Sequence, residues 1–258
     1  MAAKAESSDE SGVKLLSGIN DQYGGVIVDI IDPIDPASFL SFLTSSIAHW
    51  KLEKGFWYHH AEPTYLMLVN WIPPSPHTLP ANASHRVAIG AFLLNQNREV
   101  LVVQEKSGKF EGTGVWKFPT GVVDEGEDIY AAAVREVKEE TGVDSEFVEV
   151  LAFRQSHKSF FEKSDLFFVC MLQALSFDIQ KQEQEIEAAQ WMPFEEYAAQ
   201  PFLQNNELLK YTNAICKAKM EGEYSGFSPV ATTSSSDEKS YLYLNSSRAP
   251  KRESKVDV

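Results

Sequence analysis

Three carboxylates lie close together on one predicted helix. Glu136, Glu139 and Glu140 are spaced at i, i+3 and i+4. At about 100° per residue, side chains at these positions fall within an arc of roughly 100° around a helix. Three like charges so close together would destabilise a bare helix, and carboxylate oxygens are the ligands that hard divalent cations prefer. The spacing therefore indicates a metal site on this helix.

The rest of the helix decides between a metal site and an ordinary solvated surface, since a run of mixed charges is also typical of a solvated helix face. The opposite arc carries Ala133 and Val137, which we expect to pack against a sheet. Arg135 is placed to pair with Glu127, about two turns earlier. Gly142 is placed to end the helix as a C-cap. These neighbours favour a helix with one buried face and one acidic face.

The flanking residues complete a longer pattern. Gly121 is followed after five residues by Glu127, and seven further residues lead to Arg135. The chain continues with Glu136, an aliphatic residue, any residue, two glutamates, any residue, Gly142 and an aliphatic residue. The pattern spans 23 residues and every specified position is filled. This segment resembles the Nudix box, and on that resemblance the chain is identified as a Nudix hydrolase.

The resemblance implies a fold and a ligand set. In Nudix hydrolases the box is a loop–helix–loop on an α/β/α sandwich, which binds Mg²⁺ or Mn²⁺ and, through the metal, a substrate pyrophosphate. Carried onto this chain, it implies Glu136 and Glu140 as the principal ligands. It implies Glu139 and the main-chain carbonyl of Thr120 as further ligands. Such metals neutralise the diphosphate, lower the pKa of a bound water and stabilise the bridging oxygen.

A general base has to lie within reach of that water. Some Nudix hydrolases supply a glutamate from a loop before a strand that ends in tryptophan, and Glu185 lies six residues before Trp191. A solvated acidic loop is the alternative interpretation of this segment. Glu139 or Glu140 could serve as the base instead, and Arg135 is a further catalytic candidate because it can hold the ligands in place.

Three residues outside the box are candidate substrate contacts. Trp116 and Lys117 lie just before the box, where an adenine stack or a phosphate contact would be possible. Core packing is the favoured interpretation of Trp116. Arg154 is a further candidate for a phosphate contact.

Other stretches resemble the plant-type ADP-ribose/NADH pyrophosphatases, relatives of the animal protein named for being antisense to a fibroblast growth factor. These stretches are residues 58–63, 80–85 and 147–157. The implied activity is NAD-type nucleotide binding with hydrolysis of ADP-ribose to AMP and ribose 5-phosphate, or of NADH to AMP and reduced nicotinamide mononucleotide. The chain departs from that family between Trp50 and Phe56, where a strand and a helix are missing.

Two alternatives stay open. The substrate could be another nucleotide, such as coenzyme A or capped RNA, or the chain could be a non-catalytic nucleotide-binding regulatory module. The 23 basic and 37 acidic residues give a net charge of −14, and such a surface repels polyanions. We therefore expect a small nucleotide partner and no nucleic acid, and a homodimer stays open.

The elements around the box predict an α+β fold, because the strands are interleaved with two main helices without a βαβ rhythm. The expected class is a Nudix α/β/α sandwich with a mixed sheet, preceded by a small α/β N-terminal domain. The predicted strands are 26–31, 64–71, 87–94, 100–104, 147–154, 166–172 and 188–192. The predicted helices are 36–50, 128–141, 193–197 and 205–221.

The predicted domain limits follow from composition and from the proline-rich connector at 73–80. They are a disordered tail at 1–17, a truncated N-terminal domain at 18–80, a Nudix domain at 84–225 and a mostly disordered tail at 226–258. Within that last tail, residues 241–244 could dock as a strand or form an unattached apolar patch. There is no long apolar run and no targeting pattern, so we expect a cytoplasmic protein with no membrane contact.

Overall fold

The computed structural model describes residues 6–8, 14–20, 26–49, 57–71, 75–79, 82–160, 162–233 and 239–245. Two compact units follow one another along the chain, residues 1–82 and residues 83–258. The domain limits drawn from the sequence stay predictions. The predicted departure from the family, between Trp50 and Phe56, lies outside the described residues.

The first unit consists of one helix and short antiparallel strand pairs. Its elements are β1 (Glu6–Ser8), β2 (Lys14–Leu16), β3 (Ile19–Asn20), β4 (Val26–Ile27), α1 (Pro36–His49), β5 (Trp57–Glu62) and β6 (Tyr65–Val69). The strands pair as β1–β2, β3–β4 and β5–β6. Helix α1 begins where the Asp35 carboxylate accepts hydrogen bonds from the N–H groups of Ala37 and Ser38, at 3.1 and 3.0 Å.

The structure differs from the prediction of a disordered tail at 1–17. Strands β1 and β2 lie within that range, and Leu15 and Leu16 are buried. The N–H of Leu16 donates a 2.7 Å hydrogen bond to Oγ of the buried Ser46 on α1. Burial of two leucines against a helix stabilises a segment whose composition alone indicated disorder.

The second unit contains the predicted box helix and a larger sheet. Its strands are β7 (His85–Leu94), β8 (Glu99–Glu105), β9 (Thr120–Val122), β10 (Ser145–Phe160), β11 (Lys163–Ala174), β12 (Ile186–Pro193), β13 (Ser228–Thr233) and β14 (Lys239–Leu244). Its helices are α2 (Ile129–Thr141), α3 (Phe194–Ala198), α4 (Pro201–Gln204) and α5 (Glu207–Met220). Of the described helices, none is long and apolar enough to span a membrane.

Six of these strands form one mixed sheet in the order β10-β11-β7-β8-β12, with β9 paired to β7. The β11–β7 pair is parallel and the other pairs are antiparallel. Helix α2 packs on one face, where Ala133 and Val137 join a buried cluster with Ile89. On the other face, Phe92 and Phe194 belong to a second buried cluster. The predicted α+β sandwich with a mixed sheet is confirmed.

Of two elements that support the box, β9 was not predicted from the sequence, and a docked strand at 241–244 was one of two interpretations left open. Strand β9 is only three residues long, too short to show an alternating pattern, and it pairs Gly121 with Ile89 of the central strand β7. Strands β13 and β14 form an antiparallel hairpin within the tail predicted to be mostly disordered. The Tyr241 ring lies 4.9 Å from the ring of Tyr130 on α2, so contact with the body of the unit orders the hairpin.

Candidate active site

The glutamates of the box lie on helix α2, as predicted. The helix ends at Gly142, whose φ of 72° is left-handed and whose N–H donates to the Lys138 carbonyl. This is the expected C-cap, because a glycine adopts that conformation at little cost. Ala133 and Val137 hold the opposite side of α2 on the sheet. The acidic side is thereby held against β9.

Glu140 is the most buried of the box carboxylates. It is 6% exposed, and its Oε2 atom has no hydrogen-bond partner. Burial raises the pKa of Glu140 to about 8, while the charge of Lys117 and a main-chain hydrogen bond from Thr120 oppose the rise. A buried carboxylate oxygen without a donor costs free energy, which a cation at that position offsets.

Glu136 occupies the space that a side chain at position 121 would fill. A Cβ atom on Gly121 would overlap the Glu136 carboxylate. The glycine of the box is therefore required for close approach, because it lets the helix carboxylate lie against the backbone of β9. Burial raises the pKa of Glu136, and the hydrogen bond from Arg135 opposes this.

Arg135 links three carboxylates of the box. It bonds Glu127 through Nε and Nη2, and its Nη1 donates to Glu136 at 2.8 Å and to Glu139 at 2.9 Å. Nη2 also donates to the main-chain carbonyl of Val122 on β9, at 2.9 Å. The guanidinium thus connects the loop before the helix, the helix and β9. These bonds hold the pKa of Glu127 below its usual value and raise that of Arg135.

The donors fit a hard divalent cation in kind and place. They are the carboxylate oxygens of Glu136 and Glu140, and the Oε2 atom of Glu140 has no hydrogen-bond partner, although the N–H of Thr120 donates to the same carboxylate. Within the described part of the chain, no three His, Cys, Asp or Glu side chains already converge as a ligand set. Glu136 and Glu139 instead form ion pairs with Arg135.

Lys117, the predicted phosphate contact, lies beside Glu140. Its ammonium group donates to Glu105 at the end of β8 and, at 2.8 Å, to Oγ1 of Thr120. The Lys117 side chain is only 17% exposed. Glu105 was not identified from the sequence. In the structure, the backbone of Lys117 pairs with Val103 of β8, which brings the Lys117 side chain to Glu105 of the same strand.

Glu185 is exposed in the loop before β12, and that loop is attached to α2. The N–H of Gln182 donates to the Glu140 carbonyl at 2.9 Å, and the N–H of Lys106 donates to the Glu185 carbonyl at 2.8 Å. Gln182 and Lys106 were not singled out in the sequence, since main-chain hydrogen bonds leave no residue pattern. The loop that carries the predicted base is thus attached through Gln182 to the end of the helix that carries Glu140.

Two predicted substrate contacts are placed differently. Trp116 packs against the second buried cluster, and its backbone exchanges hydrogen bonds with the Gln200 side chain. Core packing, the favoured interpretation, accounts for it. Arg154 is exposed on β10, where its backbone lies opposite Phe167 of β11.

Comparison with known proteins agrees with this geometry. The NUDIX domain family matches residues 84–212. The chain is 55% identical to Nudix hydrolase 2 of Arabidopsis thaliana, over 95% of this chain and 97% of that protein. It is 54% identical to Nudix hydrolase 10 of the same plant, over 90% of each. Human nucleoside diphosphate-linked moiety X motif 6 is 32% identical, over 84% of this chain and 76% of that protein.

The first of these alignments also contains a gap. It spans 271 positions and uses 95% of the 258 residues here, which is about 245, so about 26 positions of the relative have no counterpart in this chain. The predicted departure between Trp50 and Phe56 stays a prediction.

Proposed function

This chain belongs to the Nudix hydrolase family, and from that premise we propose that it hydrolyses ADP-ribose and NADH. Nudix hydrolases cleave phosphoanhydride bonds of nucleoside diphosphate-linked compounds and require a divalent metal ion. We propose Mg²⁺ or Mn²⁺ as that ion. The products would be AMP with ribose 5-phosphate, or AMP with reduced nicotinamide mononucleotide. The sequence resemblance at 58–63, 80–85 and 147–157 supports this choice of substrate.

One observation carries the hydrolase proposal. Glu140 is buried with an oxygen that no hydrogen bond satisfies, next to Glu136, whose carboxylate fills the space left by Gly121. A buried carboxylate oxygen that lacks a hydrogen-bond donor destabilises the fold, so this arrangement favours a cation-binding role.

Each residue of the site would have a separate role in the reaction. Glu136 and Glu140 would hold the cation, with Glu139 and the Thr120 carbonyl as further ligands. When bound, the cation neutralises the diphosphate charge and lowers the pKa of water. Glu185 would accept the proton that water releases as its oxygen adds to one phosphorus and the bond from that phosphorus to the bridging oxygen breaks.

Two cationic residues would complete the site. Arg135 is a positioning residue, because it bonds Glu136 and Glu139 and fixes them against Glu127. Lys117 lies beside Glu140 and would balance negative charge on the substrate phosphates. The net charge of −14 supports a small nucleotide over capped RNA, since long polyanions are repelled.

The test is a substrate panel with Mg²⁺. The protein is incubated with ADP-ribose, NADH, coenzyme A and capped RNA, and the products are separated by chromatography. We expect AMP from ADP-ribose and NADH. The variants Glu136→Gln and Glu140→Gln should lose at least about a hundredfold in rate, as when a group that stabilises transition-state charge is removed. Glu146→Gln, an exposed glutamate on β10, is the matched control.

The panel also separates the alternatives. Preference for coenzyme A or capped RNA would overturn the substrate proposal and leave the hydrolase intact. Binding of ADP-ribose without hydrolysis of any compound would overturn catalysis and favour a regulatory nucleotide-binding module.

A further inference from the structure

The loop that carries Glu185 is joined by its main chain to the end of the box helix. The N–H of Gln180 donates to the carbonyl of Thr141 at 2.8 Å, and the N–H of Gln182 donates to the carbonyl of Glu140 at 2.9 Å. Two consecutive carbonyls of the last helical turn, which have no partner inside a helix, are thus satisfied by this loop. The position of this loop is therefore tied to the end of the helix that bears Glu140.

Gly142 makes this close approach possible. A Cβ atom at position 142 would lie 2.8 Å from Cβ of Gln180 and 3.1 Å from its carbonyl oxygen. Such distances force a neighbour to shift, so a side chain at 142 would move the loop away from α2. The last glycine of the box thus ends the helix and also gives room to the loop.

Gln182 extends the connection from the helix to Glu185 itself. Its side-chain Oε1 accepts a 2.8 Å hydrogen bond from the Glu185 N–H, and its carbonyl accepts a 3.2 Å bond from Ile186. On the other side, the Glu185 carbonyl accepts a bond from the N–H of Lys106, at the end of β8. The peptide groups around Glu185 are held from both directions, although its side chain is exposed.

We propose that Gln182 is a positioning residue that sets the place of Glu185 relative to Glu140. This inference rests on the proposed function, in which Glu185 accepts a proton and Glu140 holds the cation. Gln182 is bonded to both residues, through its own N–H on one side and its side-chain oxygen on the other. Since a displacement of about 1 Å can cost about a hundredfold in rate, a fixed link between base and ligand matters for turnover.

The experiment compares substitutions at two neighbouring glutamines. Gln182→Met keeps the length of the side chain and removes the acceptor, and Gln182→Glu keeps an acceptor oxygen. Gln184→Met is the matched control, because Gln184 is exposed in the same loop. For each full-length variant, kcat and KM are measured with ADP-ribose and Mg²⁺, and hydrogen exchange of the Glu185 amide is measured without substrate.

We expect Gln182→Met to lower kcat by about tenfold to a hundredfold, with KM within about twofold of the unmodified chain. The Glu185 amide should exchange faster because its acceptor is gone. Gln182→Glu should retain most of the activity, and Gln184→Met should match the unmodified chain. If Gln182→Met does not fold, Gln182→Asn takes its place, since its shorter side chain keeps the amide while withdrawing the oxygen.

Three results would overturn the inference. One is a kcat for Gln182→Met equal to that of Gln184→Met, another is a loss that appears in KM alone, and the third is unchanged exchange at the Glu185 amide. If the unmodified chain hydrolyses nothing in the substrate panel, the proposed function is what fails. The exchange of the Glu185 amide then decides by itself whether Gln182 holds this peptide.

Discussion

Arg135 holds Glu127 through two parallel hydrogen bonds, from Nε to Oε1 and from Nη2 to Oε2, both 2.8 Å long. The two residues are separated by the start of α2, so the pair fixes the entering loop to the helix. The same guanidinium reaches Glu136 and Glu139. One planar side chain therefore sets the positions of three carboxylates.

Arg135→Lys should weaken both stability and catalysis, because an ammonium group cannot make two parallel bonds to one carboxylate and also reach two others. We expect the free energy of unfolding to fall by about 1–3 kcal/mol, as for a lost charged hydrogen bond. The rate of AMP release should fall at least about tenfold. Denaturant unfolding of Arg135→Lys, Glu127→Gln and the double variant gives the coupling, and additive effects would contradict the paired role.

Gly121→Ala should separate metal binding from folding. The added Cβ meets the Glu136 carboxylate, which is the flexible end of a side chain, so Glu136 can swing away at a cost of about 1 kcal/mol or less. We expect a nearly unchanged melting temperature and a Mn²⁺ affinity reduced at least about tenfold by calorimetry. In the Glu136→Gln background the alanine should have little further effect. An equal loss in both backgrounds would show that Gly121 acts on something other than Glu136.

Stability of the metal-free protein should depend on pH through Glu140. Its pKa is raised from 4.5 to about 8 by burial, so between these values the folded state binds more protons than the unfolded state. The stability linked to this group is complete below pH 4.5 and is lost as pH rises to about 8, by a few kcal/mol. Denaturant unfolding in chelator from pH 5 to 8.5 should show this slope.

Glu140→Gln supplies the comparison for that experiment, since the amide does not titrate. Its unfolding free energy should decline less over the same interval, and the difference between the two curves isolates Glu140 from the other titrating groups. Adding Mg²⁺ at pH 8 should raise the melting temperature of the unmodified chain more than that of the variant. Parallel curves for the two proteins would contradict burial of this carboxylate.

Tyr241→Ala should loosen the C-terminal hairpin from the box helix. The Tyr241 ring packs edge-on against Tyr130, and the two hydroxyl groups are 3.3 Å apart. Losing such an aromatic pair costs about 0.5–1.5 kcal/mol beyond the buried area. We expect faster amide exchange in β13 and β14, while Tyr241→Phe, which keeps the ring, should change exchange little. Equal exchange in both variants would mean that the ring contact does not hold the hairpin.

Most of the box could be predicted from the sequence because its geometry depends on residues that are close together in the chain. A helical period and two glycines place Glu136 and Glu140 on one side of α2, and the predicted helix at 128–141 differs from Ile129–Thr141 by one residue. The strand predicted at 147–154 runs instead from Ser145 to Phe160. Its polar end is extended by pairing with β11, as between Ser156 and Asp165, and no local pattern reports such pairing.

The remaining parts of the site depend on contacts between distant residues. Lys117 bonds to Glu105, which lies in a separate element, and Gln182 reaches Glu140 by a main-chain bond that any residue type except proline could make. The hairpin contacts α2 through Tyr130 and Tyr241, which are 111 residues apart. The periodicity and spacing of residues in the sequence do not indicate contacts between residues that are far apart in the chain.

The backbone pairing between Phe227 and Val150 has a consequence for solubility. Strand β10 lies at the rim of the sheet, and two main-chain hydrogen bonds of 2.8 and 2.9 Å join it to Phe227 at its middle. Gly226 allows this approach, since a Cβ there would overlap the Val150 carbonyl oxygen. A strand of 16 residues whose outer edge is unpaired is a template for association with other chains. The segment around Phe227 thus covers part of this edge, and a chain shortened to residue 224, which keeps α5, would leave more of the edge open to association with other copies.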